Sequence, residues 1–237
     1  LTAYYCLLNA TKALLLAKRQ VFSDRHGISG YHDPGSKAAL KNEVVILQGG
    51  GVLPAFCNLV GQPVTAKETH SLEGLLYSIP FVHRAFRVTY PSGKELFLPL
   101  NRARFVRKDR SKESWVEAEI PERYNSRTLA ASLPTGWEVD SGVTDRVVVR
   151  RKARFDWNGR QLVASKVRLA NYHRKSREVL LPIFSRQPRW YLRKEVNDIR
   201  RVDRDPMVLT LAAMHRLSEL SRYAPDRLER HFEGRQN

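Results

Sequence analysis

The chain has 237 residues, 42% of them apolar and 27% charged, and a formal net charge of +17. That apolar share supports a packed core in one large or two small domains and excludes a disordered chain. The sequence has no run near the roughly 18 apolar residues of a membrane span and no visible charged-then-apolar leader, and its cysteine usage makes a reducing cytoplasm the default expectation.

The charge is unevenly spread. Residues 75–205 hold 29 basic groups against 15 acidic ones, whereas residues 1–74 hold 7 against 5. A basic surface of that kind attracts polyanions, nucleic acid first, through phosphate contacts and counterion release. The plainer reading is an Arg-rich composition, since 29 of the 41 basic residues are Arg.

In chain order, Leu1 enters a helical pattern partway, which reads as a fragment or a processed chain. Tyr4, Leu7, Leu8, Thr11, Leu14 and Leu15 then recur at helical spacing. The residues between them are also weakly polar, so the helix over 4–17 is expected to be buried on most sides. SDRHGISGYHDPGSK reads as loop. EVVILQ at 43–48 reads as a short buried strand, broken by GGG at 49–51, and residues 52–60 and 65–77 as short helical or irregular pieces. From Arg84 to Phe184, alternation with period two predicts strands. RAFRVTY, the turn PSGK and ELFLPL form one hairpin, and residues 146–170 around WNGR form another. ARFVRK, WVEAEI and EVLLPIF add further strands, giving an antiparallel subdomain of about five to seven. Asp205 as N-cap and Pro206 in the first turn predict a helix over 206–222, and a short helix follows from Pro225 toward Phe232. Cys6 and Cys57 both lie in apolar runs and are expected to be small buried hydrophobes in a reducing compartment.

AYYCLLNATKALLLA followed by HGISG, then GGVLPAF, IPFVHRAF and LSELSRYAP, together resemble the YaaC-like proteins, a bacterial group. The resemblance runs from residue 3 to about residue 227. The first piece also resembles the HEPN superfamily of helical bundles, which includes metal-independent RNA-cutting enzymes and catalytically silent binding relatives. Its active members carry Arg, then four to six residues, then His, near a helix end. A His can move the proton of a ribose 2′-hydroxyl or of the leaving 5′-oxygen, and an Arg can steady charge on the phosphorane.

Arg19 and His26 have that spacing. Chance supplies about 2.6 such pairs in a chain of this composition, and three occur, so position at the end of the first helix is what singles this pair out. Asn9, Asp24 and Tyr31 have the chemistry of a third polar partner. For His26 three roles stay open: catalysis, phosphate or partner binding, and a helix-end histidine meeting free carbonyls.

GGG reads as a tight turn, because no Gly-Lys-Ser/Thr follows it. The remaining histidines make no metal spacing with either cysteine, so neither metal nor cofactor is expected. Glu117 and Glu119 read as a solvated strand rim. RARFVRKDR, RVVVRRKARFDW and NYHRKSR interleave cations with Phe105, Phe155, Trp157 and Tyr172, a division of labour suited to single-stranded nucleic acid. Alternation sends Phe155 to the core with Val147 and Val149, and leaves Arg150, Lys152 and Arg154 as an outward row. With Arg25, Arg107 and Lys108 they are the candidate nucleic-acid contacts.

The expected fold is α+β. A HEPN-like helical layer is built from residues 1–79 and 206–237, and an Arg-rich antiparallel β insertion spans 80–205. The resemblance implies a protein that binds nucleic acid, RNA rather than DNA, with metal-independent ribonuclease activity at Arg19 and His26 and a homodimeric assembly. The alternative is a non-catalytic interaction module for protein or nucleic acid.

Overall fold

Helix α1 (Thr2–Ala17) opens the structure, a computed structural model that describes residues 2–183 and 189–233. Only Tyr4, Leu8 and Leu15 of it are buried, while Leu14 and Leu16 are 40% and 67% exposed. The helix therefore buries one narrow stripe rather than most of its surface, and Cys6, expected in the core, is exposed. Its end is a Schellman turn: Gln20 N donates to Leu15 O and Arg19 N to Leu16 O, with Arg19 in the left-handed conformation at φ 52°.

Strand β1 (Ile28–His32) lies inside the stretch read as loop, and pairs antiparallel with β2 (Glu43–Leu47). A five-residue strand containing glycine and three polar side chains carries no apolar alternation to announce it. Gly30 is required there, because a Cβ would sit 2.7 Å from Val44 O and 2.8 Å from Arg216 Cδ. Helix α2 (Val52–Leu59) follows, with Val52 to Cys57 all buried, and then β3 (Glu68–Ser71) pairs with the other edge of β2. Ser71 caps α3 (Leu72–Ser78) by accepting from Gly74 N.

The next segment corrects the sequence reading. RAFRVTY is not a strand but the end of helix α4 (Pro80–Thr89), which Pro80 starts. Its buried residues Pro80, His83 and Phe86 recur every three positions, and His83 Nδ1 lies 2.7 Å from Tyr77 O. The first predicted hairpin thus loses one arm to a helix.

Residues 92–197 form one compact unit. Its strands are β4 (Phe97–Arg107), β5 (Glu113–Glu119), β6 (Trp137–Val139), β7 (Val148–Arg151), β8 (Phe155–Asp156), β9 (Leu180–Ile183) and β10 (Arg189–Arg193). They form an antiparallel sheet in the order β6-β7-β5-β4-β10-β9, with β8 also paired to β5. A short helix, α5 (Leu129–Ser132), precedes β6. Leu98, Leu100, Val116, Trp137, Val149 and Leu192 lie in its core. Phe184, the last residue of the strand read over 178–184, lies outside the described residues.

The second predicted hairpin is also overturned. QLVASKVRLA folds into helix α6 (Leu162–Ser176), whose buried residues are Ser165, Tyr172 and Ser176. Val163 and Val167 point to solvent, 80% and 57% exposed, so the apolar residues that suggested a strand do not mark the packed face. Ser165 Oγ accepts from Asn158 N and donates to Asn158 O, and the Tyr172 hydroxyl accepts from Val116 N. Polar anchors hold this helix, and its Leu, Ala, Lys and Arg content favours it locally.

Helix α7 (Pro206–Tyr223) begins as the sequence predicts, with Asp205 accepting from Met207 N at 2.8 Å, and α8 (Pro225–Glu233) follows. They belong to the other compact unit, residues 1–91 and 198–237. Val208, Leu211 and Ala212 of α7 join Leu8, Leu15, Val45, Leu53 and Leu75 in its core. The N-terminal and C-terminal helices meet, as their apolar faces suggest, with the Tyr4 and His215 rings 5.3 Å apart.

Beneath α7 the core admits one carboxylate. Glu43, fully buried on β2, accepts from Arg216 Nη2 (2.6 Å) and Nε (3.1 Å). His32 Nδ1 and His231 Nε2 lie 2.8 and 3.0 Å from its other oxygen. Burial alone would push this carboxyl up, but hydrogen bonds from Arg216, His231 and His32 outweigh it and hold the pKa below its ordinary value.

Candidate functional site

His26 sits on the link between α1 and β1, and the backbone around it is pinned. The carbonyls of Arg25 and His26 accept from Val52 N (2.8 Å) and Leu53 N (3.1 Å), the first amides of α2, and Gly27 O accepts from Gln48 N (3.0 Å). Those contacts need glycine. Gly27 and Gly51 adopt φ 73° and 124°, and a Cβ on Gly51 would fall 2.6 Å from Gly27 N. The GGG run therefore lets the 25–27 link close onto α2. With their amides already satisfied by carbonyls, Val52 and Leu53 are not open to a phosphate.

Two helices complete the surroundings. From α1 come Tyr4, Tyr5 and Lys12; from α7 come His215, Glu219 and Arg222, at the i, i+4, i+7 spacing of one helix face. Tyr4 Oη lies 3.0 Å from His26 Nδ1, and the Tyr4, His26 and His215 rings meet edge to face at 5.3 to 5.7 Å. Arg222 Nη1 donates to the Tyr5 hydroxyl at 2.8 Å, and Lys12 Nζ reaches Asp24 at 3.2 Å. Tyr4 and His215 are buried, whereas His26 is only partly buried.

The electrostatics keep both imidazoles neutral at pH 7. His215 is pushed down to about 4, chiefly by burial and then by His26, Arg222 and Arg216. Burial also lowers His26, followed by the Lys12 and Arg222 cations, against an opposing pull from Glu219. The Tyr4 hydroxyl is pushed up, again chiefly by burial. His215 Nδ1 is buried with no hydrogen-bond partner among the described residues, and Glu219 Oε2 stands off at 3.8 Å.

Arg19 is placed differently. It is exposed, it terminates α1, and among the described residues no hydrogen bond or ion pair engages its side chain. Arg25 is also exposed, and only its carbonyl is engaged. Asp24 is tied to Lys12, and among the described residues neither Asn9 nor Tyr31 hydrogen-bonds His26. The cations that do act on His26 are Lys12 and Arg222.

A family model described as YaaC-like Protein matches residues 1–237. The chain belongs to the YaaC-like family. No curated protein and no solved structure matches it.

In this YaaC-like protein the cations of residues 92–197 fall into two groups. Many are answered by carboxylates across the sheet: Arg104 by Glu117 (2.9 Å), Arg102 and Arg146 by Glu119, and Arg150 by Glu138 and Asp140 (2.8 Å each). The hydrogen bond to Glu138 leads in raising the Arg150 pKa. Strand β7 stops at Arg151, so Arg150, Lys152 and Arg154 share no strand face. Arg154 bonds the Arg151 carbonyl and lies 4.5 Å over the Trp115 ring, while the Lys152 side chain is exposed. Arg107 and Lys108 are exposed at the end of β4 and have no carboxylate partner among the described residues.

No cluster of three or more His, Cys, Asp or Glu side chains able to hold a metal occurs among the described residues. None of their helices is long and apolar enough to cross a membrane.

Sequence reasoning found His26 but not its neighbours. Tyr4 and His215 read as members of apolar helix faces, and Lys12 carried no reading of its own. The one available signal was the His215, Glu219, Arg222 spacing, which places three polar groups on a single face of a helix otherwise committed to the core.

Proposed function

We propose that this YaaC-like protein binds nucleic acid, RNA in preference to DNA, and cleaves it without metal at His26. The observation that carries this reading is a neutral, partly buried imidazole bonded to Tyr4 and under the influence of the Lys12 and Arg222 cations. In its neutral form the ring removes a 2′-hydroxyl proton. As imidazolium it returns that proton to the leaving 5′-oxygen, while Lys12 and Arg222 steady the charge on the phosphorane. The HEPN resemblance of the first helix supports the same chemistry and adds a homodimer in which two His26 rings approach one RNA. Arg19 then acts, with Arg25, as an exposed phosphate contact or as the second catalytic group.

The test is incubation of labelled RNA with the full chain in EDTA, beside His26→Ala, Arg222→Ala and Arg19→Ala. Cleavage that disappears with His26→Ala and falls at least tenfold with Arg222→Ala supports the reading. Cleavage that survives His26→Ala overturns it. Retention of activity in Arg19→Ala assigns Arg19 to helix termination alone.

One observation favours a second reading, a non-catalytic binding module. Tyr4 and His215 are buried, and His215 stays neutral to about pH 4, which leaves a single accessible proton carrier. RNA bound without cutting, with affinity that falls steeply with salt and ignores His26→Ala, would establish it.

A further inference from the structure

One cation without a carboxylate partner among the described residues, Arg107, lines a cleft in residues 92–197. Phe105, Arg107, Phe155, Trp157 and Leu169 line a space of about 350 Å³ between β4, β8 and α6. That volume falls in the range of small-ligand sites, and the lining is mostly apolar. Phe105 is 45% exposed, and its ring meets Phe155 edge to face at 6.1 Å. Behind them the Tyr172 ring packs 4.7 Å from Phe155, and its hydroxyl is fixed to Val116 N, so the wall of the cleft is rigid.

The charge around this cleft differs from the rest of the sheet. Arg107 lines it, Lys108 adjoins Arg107, and the Lys112 carbonyl accepts from Trp157 N at 2.7 Å. Arg168 on α6 donates to Asp156 O at 3.4 Å, one residue from Trp157. Among the described residues none of these four cations meets a carboxylate. Glu113 and Asp156 oppose each other across β5 and β8, but period two sends both to the face away from Ser114 and Phe155. An exposed Phe105 ring, with half-buried Phe155 and Trp157 beside it and Arg107 at the same cleft, fits an unpaired base with its phosphate, because stacking is available to every base and the cation answers the backbone.

We infer that the Phe105, Phe155 and Trp157 cleft is a nucleobase-stacking subsite for single-stranded nucleic acid, with Arg107 as its phosphate contact. The inference rests on the nucleic-acid reading above for its polymer and concerns residues remote in sequence from His26. Every base can stack on an aromatic side chain, so loss of one ring is expected to weaken binding roughly tenfold.

The test uses fluorescein-labelled RNA of about twelve nucleotides, a length within the span of known single-strand sites, beside an abasic strand of equal length. Trp157→Ala and Phe105→Ala should each lose about tenfold on the RNA and little on the abasic strand, with Trp157→Phe restoring most of the loss. Arg107→Ala should weaken both strands and flatten the salt dependence. Circular dichroism confirms that each variant folds, and AMP titrated against the intrinsic Trp fluorescence reads the cleft without a polymer. RNA binding indifferent to both aromatic variants, or losses equal on the two strands, overturns the cleft and leaves the nucleic-acid reading standing. AMP binding abolished by Phe105→Ala, with no polymer bound, supports the cleft and overturns that reading. Absence of both overturns both.

Discussion

The two compact units handle charge in opposite ways. Around α7 a few charged groups are buried and each is matched by named partners: Glu43 has no exposed surface, and the Arg216 side chain that serves it is 7% exposed. In residues 92–197 the charges are numerous and exposed, and they answer one another across strands, as Arg104 and Glu117 do in directly opposed register. A buried pair specifies how elements meet, because breaking it leaves an unmatched charge away from water; an exposed pair contributes little. The +17 net charge drew attention to the middle of the chain, yet Arg102, Arg104, Arg146 and Arg150 there are engaged in this internal pairing. Only the cations left over can speak to a partner.

The largest effect should come from Glu43→Ala. It takes the buried carboxylate from Arg216, His32 and His231, leaving Arg216 only Glu219, and should cost about 3 to 5 kcal/mol of unfolding free energy in urea titrations. A loss below about 1 kcal/mol would reduce the buried centre to the rank of the surface pairs.

Next is pH. Unfolded His215 titrates near 6.5, whereas the folded side chain holds off protonation to about 4. Between those values the native state binds fewer protons, so stability is full above pH 6.5 and falls as pH drops toward 4, by roughly 3 kcal/mol for this group. His26 is shifted in the same direction and adds to the slope. His215→Phe should flatten the profile; a slope unchanged in that variant would place its origin elsewhere.

Smaller effects sharpen the contrast. Tyr4→Phe keeps the ring and deletes the hydroxyl facing His26, at a cost of about 1 kcal/mol, and should move the His26 Nδ1 resonance in NMR spectra. Arg19→Gly should raise stability by about 1 kcal/mol, because glycine holds the left-handed turn without a Cβ clash. Arg104→Ala is expected to cost about 0.5 kcal/mol or less, since its ion pair with Glu117 is exposed on the Arg side.

The sequence made some of this legible for physical reasons that can be named. Strand β5 was readable because WVEAEI alternates cleanly between core and rim, and α7 because Asp205 and Pro206 leave a local start signal. The two hairpins failed where alternation and helical spacing coexist. Arg84, Phe86 and Val88 alternate, yet Pro80, His83 and Phe86 pack; Val163, Val167 and Leu169 suggest a strand, yet Ser165 and Tyr172 anchor a helix. β1 was invisible because its pairing with β2 is long-range and its own residues are polar. His26 was legible as chemistry, but not its setting: His215 lies 189 residues farther along the chain, and no local pattern connects them.

Helix α8 has no fully buried residue, but His231 reaches from it to the carboxylate of Glu43. Leu228 packs it against the core, and His231 adds a polar latch to the deepest charge of the unit. The amide hydrogen exchange of α8 becomes a remote readout of that charge, and protonating Glu43 should loosen α8 before the core yields.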